Sequence, residues 1–166
     1  GRFYESLRSF RGASRRLQLI ARNDSSVAYL DFAHAPSKVK ASVEAVREAH
    51  ARKCLFACLE LHTFSSLNRD FLVHYGGSLA AADRAIVFYD PETVRHKGLD
   101  ELEPEFVRKA FESPNVTVAT KSDDIREILE SRTWEDHALL FMSSGNFSGL
   151  HLQELLRDRL GDLKRV

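Results

Sequence analysis

The 166-residue chain is 43% hydrophobic and 29% charged, with 24 basic and 24 acidic side chains. That composition belongs to one folded domain with its own core, not to a disordered segment. A formal net charge of zero offers no electrostatic footprint for a nucleic acid or an anionic membrane, and no apolar stretch approaches the roughly 20 residues that span a bilayer.

Residues 1–16 are basic, weakly patterned and without the hydrophobic block of a signal peptide. They read as the end of a preceding domain and a junction, with the domain proper at 17–166. Residues 17–21 predict a short strand, "NDSS" at 23–26 a turn, and 27–33 a second strand. Pro36 and Ser37 open a helix whose Val39, Val43, Val46 and His50 recur on one face. The apolar run 53–61 predicts a strand covered on both sides. Its two cysteines, Cys54 and Cys58, share one face but lie about 13 Å apart in an extended strand, too far to bridge. They read as reduced core thiols and fit a cytoplasmic protein.

After the polar loop "HTFSSLNRD", a helix is expected over 68–82, loosened at Gly76-Gly77. Residues 85–89 form another apolar strand, and 90–105 a long connection. A helix at 105–112, a strand in "NVTVAT", a helix capped by Ser122, a strand in "HALLFMSSGN" and a closing helix in "GLHLQELLRDRL" complete the chain. Strands alternating with helices predict an α/β, Rossmann-like three-layer domain: a mostly parallel sheet with helices on both faces.

In such a sheet ligands gather at the carboxyl ends of the strands. Four strand-to-helix loops carry polar groups there: Asp31 with His34, the stretch from His62 to Asn68, Asp90 onward, and Ser143 to Ser148. Each also has a plain structural reading. Asp31 could close the turn before Pro36, His34 could bond locally, and Gly145 could simply permit a tight turn. His50, His74, His96, His137 and His151 read as surface or rim residues. Phe56, Phe71, Phe88 and Phe141 read as core, whereas Trp134 sits in a polar loop that settles nothing. The chain contains no G-x-x-x-x-G-K-[ST] phosphate loop, no G-x-G-x-x-G and no G-x-S-x-G elbow, and no credible metal-ligand cluster. A ligand-binding part of a larger enzyme is the easier reading. A stand-alone nucleotide- or partner-binding module is the other.

The stretch "RRLQLIARNDSSVAYLDFAHAPSKVKASVEAVRE" resembles the opening of the C-terminal domain of the Mur ligases, the ATP-dependent amide ligases that build the peptidoglycan precursor. Their pattern is an arginine near the domain junction, a strand ending in D-[FY]-[AG]-H-x-P, and a helix. Arg16, Asp31, Phe32, His34 and Pro36 match it. "ELHTFSSLNRDF" is similar to the next loop of the alanine-adding members. "FMSSGNFSGLHLQELL" looks most like the tail of the recycling member, which attaches L-alanyl-γ-D-glutamyl-meso-diaminopimelate to UDP-N-acetylmuramate. The resemblance runs from about Phe10 to Leu160.

The resemblance implies a third domain that receives the amine substrate, working with an N-terminal domain for the UDP-sugar and a central domain for ATP and Mg2+. It implies that Arg16 and Asp31 meet ATP, Asp31 at the ribose hydroxyls, and that Phe32, His34, His62, Ser65 and Ser66 line the substrate side. No catalytic or metal-binding residue is implied within this domain. The muramyl carboxylate would be phosphorylated, and the amine would displace phosphate from the acyl phosphate. The domain by itself is expected to be inactive. Two departures stand out: no arginine lies between His62 and Asn68, where the alanine-adding members hold the substrate carboxylate, and His62-Thr63 replaces the arginine typical of recycling members. Arg69, Arg95 or Lys97 could substitute. L-Alanine in place of the tripeptide is the alternative substrate.

Overall fold

The structure is a computed structural model and describes residues 17–161. Arg16 therefore lies outside the described residues. Six strands form one sheet: β1 (Gln18–Arg22), β2 (Val27–Asp31), β3 (Cys54–Glu60), β4 (Arg84–Phe88), β5 (Val116–Ala119) and β6 (His137–Met142). Their spatial order is β1-β2-β6-β3-β4-β5. All pairings are parallel except β1 with β2, which is antiparallel and irregular between Leu19 and Ala21.

The strands read as near-continuous apolar runs because both faces are covered. On β3, Leu55, Ala57 and Leu59 join one core cluster, while Phe56 and Cys58 join the other. The first cluster holds α1 (Pro36–Ala49), α2 (Pro91–His96), α3 (Pro104–Ala110) and a 3-10 turn, Leu72–Tyr75, through Val39, Val94, Val107 and Leu72. The second holds α4 (Ser122–Glu130) and α5 (Leu152–Leu160) through Ile125, Leu129 and Leu156. The two-sided sheet is thus the three-layer Rossmann-like architecture expected from the alternation.

The choice of face follows from crossover handedness. The steps β2 to β3, β3 to β4 and β4 to β5 all advance in one direction across the sheet, and their connections share one face. The step β5 to β6 reverses direction, so a right-handed crossover puts α4 on the other face. Among the described residues, no helix is long and apolar enough to cross a membrane.

Three expectations need correction, and the position the sequence left open, Trp134, is settled. Residues 68–82 do not form a helix: the segment is a chain of tight turns closed by bonds such as Phe71 N–H to Asn68 O, Gly76 to Val73 O and Ala82 to Leu79 O, with one 3-10 turn. Gly77, at φ +77°, breaks any helical run. The connection 90–105 is not bare, because Asp90 accepts the Glu92 N–H at 2.9 Å and Pro91 starts α2. Ser122 is the first residue of α4 and not its cap, which is Lys121. Trp134 is core: it packs edge-on against Phe56 and its Nε1 donates to Leu129 O. Of the four phenylalanines expected inside, Phe56, Phe88 and Phe141 are buried, and Phe71 is half-buried. Cys54 and Cys58 are free thiols. Burial, with the charge of Glu60 adding, pushes the Cys58 thiol far up and makes it inert.

Candidate functional site

An open α/β sheet parts where neighbouring strands send the chain to opposite faces. β2 and β3 lead to the face of α1, while β6, lying between them, leads to α5 on the other. The carboxyl ends of β2, β6 and β3 therefore flank a crevice, and Asp31, Ser143 and Glu60 stand at them.

Asp31 is 1% exposed. Its Oδ2 accepts from Ser42 Oγ on α1, its Oδ1 accepts from the Ala33 N–H at 3.2 Å, and its carbonyl accepts from the Ser143 N–H at 3.0 Å. The carboxylate closes the turn and ties β2 to α1, and the main-chain carbonyl joins the ends of β2 and β6. A carboxylate has about four lone-pair sites, so two bonds leave acceptor capacity unused. The next residue, Phe32, projects with 56% of its surface exposed. The His34 ring lies edge-on to Phe32, with Nδ1 3.0 Å from Phe32 O.

The loop after β3 is tied to the same place. Tyr75 donates to the carbonyl of His34 and is bonded by Ser66, and burial raises its phenol to about 12, so it stays a donor at neutral pH. Ser66 is buried and turned inward, bonded to Thr63. Ser65 and Phe64 are exposed. The structure thus gathers Asp31, Phe32, His34, His62, Ser65 and Ser66 on one edge of the sheet. It gives Phe32 and Ser65 open surfaces, leaves His34 and His62 half-covered, and gives Asp31 and Ser66 inward bonds.

Glu60 went unrecognised in the sequence. It is 3% exposed, and its Oε1 accepts from Ser143 Oγ at 2.5 Å and from the Phe147 N–H at 2.9 Å. Ser143 Oγ in turn accepts the Gly145 N–H at 2.7 Å. A Cβ on Gly145 would fall 2.9 Å from Glu60 Oε1 and from the His62 ring, so glycine is what lets the loop lie against both. Phe147, Ser148 and Gly149 all take left-handed backbone, stabilised by the Glu60 bond, by Phe147 packing on Phe88 and Phe141, and by Ser148 Oγ donating to Asp90 at 3.1 Å. The available signal was one acidic residue closing the apolar run "CLFACLE".

Fold and edge together define a Rossmann-like domain with a crevice where β2, β6 and β3 end. The profile of the family described as "Mur ligase, glutamate ligase domain" matches residues 15–145, and the chain belongs to the Mur ligase family. It is similar to the UDP-N-acetylmuramate–L-alanine ligase of Gloeobacter violaceus, 31% identical over 91% of this chain and 32% of that protein. Among solved structures it is similar in fold to a murein peptide ligase from Psychrobacter arcticus (21% identity, 92% of this chain, 31% of that one, TM-score 0.62). It is also similar in fold to a UDP-N-acetylmuramate-alanine ligase from Thermotoga maritima (16% identity, 93% and 32%, TM-score 0.60). The chain spans a third or less of the length of the curated relatives it matches.

Proposed function

We propose that this chain is the amine-receiving domain of a cytoplasmic, ATP-dependent amide ligase that joins UDP-N-acetylmuramate to L-alanyl-γ-D-glutamyl-meso-diaminopimelate. The observation that carries the reading is Asp31 with His34 at the end of β2, facing the loop braced by Glu60 across the crevice, in a chain of this family. In this reading Asp31 accepts from the ribose hydroxyls of ATP through its unused acceptor positions, a task suited to a fixed carboxylate. Arg16 meets the same nucleotide. Phe32, His34, His62 and Ser65 face the amine substrate, and Ser66 sets the turn that presents Ser65. Mg2+ accompanies the ATP phosphates on the rest of the enzyme. The domain positions the amine against the acyl phosphate and keeps water from it.

The absence of an arginine from 62–68 supports a substrate whose carboxylates are met elsewhere, hence a peptide longer than one residue. The second reading, L-alanine as the amine, is supported by the curated relatives, such as that of Gloeobacter violaceus. The test is ATP-dependent joining of UDP-N-acetylmuramate to the tripeptide and, separately, to L-alanine by the full-length ligase, wild type and Asp31→Ala. Use of the tripeptide is expected, with the apparent KM for ATP raised roughly 10- to 100-fold in the variant, as for loss of a charged hydrogen bond. Use of L-alanine alone establishes the second reading. Joining of neither returns the chain to the class of binding modules.

A further inference from the structure

The turns after β2 and β3 meet through one phenol. β6 lies between these strands, so their ends stand two strand spacings apart, about 10 Å, beyond main-chain contact. Among the described residues no hydrogen bond runs directly from 31–35 to 62–68. Tyr75 spans the gap from the face of α1. Its hydroxyl donates to the carbonyl of His34, and the side chain of Ser66 bonds to the same phenol. Thr63 Oγ1 holds Ser66 in place, accepting its N–H at 3.1 Å and donating to its Oγ at 2.9 Å. The Tyr75 ring is held as firmly. It stacks on Phe111 with centroids 5.2 Å apart and stands edge-on to Phe71 at 6.1 Å. The Gly77 N–H donates to Phe111 O at 2.9 Å, and a Cβ on Gly76 would fall 2.8 Å from Glu112 Oε2, so the glycine pair lets this turn lie against the C-terminus of α3.

We infer that Tyr75 is a positioning residue that couples the two sides of the crevice, joining the Asp31–His34 turn to the 62–68 loop so that a ligand ordering one turn orders the other. The inference rests on the proposed function in placing a nucleotide at Asp31 and an amine at the 62–68 loop, and it holds for either amine. Tyr75 touches neither ligand in that reading. It acts through His34 O and Ser66, and a shift of either turn breaks a bond at the other. Both partners of the loop-side bond are shielded, since Tyr75 and Ser66 are each 1% exposed. A buried bond that is lost is not replaced by water, so the two turns keep their partners only by moving together. Burial raises the phenol to about 12, and the hydroxyl donates throughout the neutral range. A phenylalanine would fill the same space, so the hydroxyl alone carries the coupling. By linkage the coupling is reciprocal: the nucleotide tightens the amine by the factor by which the amine tightens the nucleotide.

The test is made on the full-length ligase with UDP-N-acetylmuramate present. It measures the Kd of the amine with and without a non-hydrolysable ATP analogue, and the Kd of the analogue with and without the amine. The amine is the one, tripeptide or L-alanine, that the ligase joins. The wild type is expected to show the same tightening in both directions, roughly 10-fold. Tyr75→Phe keeps the ring contacts and is expected to shrink both ratios by one factor, roughly 3- to 10-fold, as for loss of one or two hydrogen bonds. Ser66→Ala breaks the other arm and should act alike, and the double variant should add nothing to Tyr75→Phe. Leu129→Ala removes core volume on the opposite face of the sheet, and should lower stability while leaving both ratios as in the wild type. Ratios that are unchanged in Tyr75→Phe, absent in the wild type or equally reduced in Leu129→Ala overturn the coupling and leave the proposed function standing. A ligase that joins neither amine removes the proposed function, and the inference with it.

Discussion

Glu60 shows what one buried carboxylate does here. It reaches from the end of β3 to the loop after β6 and supplies the acceptor for a buried hydroxyl and a buried backbone N–H. Glu60→Ala leaves Ser143 Oγ and the Phe147 N–H without that partner, at a cost of about 1–3 kcal/mol each. Phe147 also loses the bond that offsets its left-handed backbone. Urea unfolding should show Glu60→Ala less stable by roughly 3 kcal/mol, and Glu60→Gln, which keeps an acceptor oxygen, much less affected. Equal stability of the alanine variant would mean that the loop is held by its phenylalanine packing alone. Asp31 and His34 were legible in the sequence, because a polar pair between an apolar run and a proline-started helix is conspicuous. Glu60 was not, because its partners lie more than 80 positions away.

At the scale of elements, α1 joins the crevice to the far end of the sheet. Its first turn follows the Asp31–His34 loop, and its C-terminal cap is His50, whose Nε2 lies 2.7 Å from the Tyr29 hydroxyl. A helix C-terminus ordinarily favours a protonated histidine. Here burial, then the charge of Lys53, outweighs that and lowers the His50 pKa below its usual 6.5. The unfolded chain therefore binds a proton that the folded chain refuses, and stability falls as pH drops below about 6.5 until the folded-state pKa is passed. Thermal melts on the acid side of neutrality should show this slope, and His50→Gln, which keeps a polar partner for Tyr29 without titrating, should flatten it. An unchanged slope would assign the acid sensitivity to other groups. The sequence showed α1 and its valine face plainly, since the apolar period is unbroken. It misled over 68–82, where apolar residues at mixed spacing imitate a helix that Gly76 and Gly77 do not sustain.

For the whole molecule, alternation and doubly apolar strands announced a parallel sheet, but nothing local says that β6 inserts between β2 and β3. That insertion decides where the sheet opens, since it creates the crevice at Asp31 and, by forcing α4 to the opposite face, the opening between β4 and β5. Both openings lie on one edge, which in the proposed function is one wall of a reaction space. A wall orients an amine; it does not make the acyl phosphate that the amine must attack, and the chain contains no G-x-x-x-x-G-K-[ST] loop to hold the phosphates of ATP. Orientation alone accelerates only a reaction whose activated partner is present. The 166-residue chain given ATP, Mg2+, UDP-N-acetylmuramate and the tripeptide should therefore release no ADP that depends on both substrates, whereas the full-length ligase should do so under the same conditions. A coupled ADP assay on the two proteins decides the matter, and substrate-dependent ADP from the chain alone would show that it carries a phosphate site of its own.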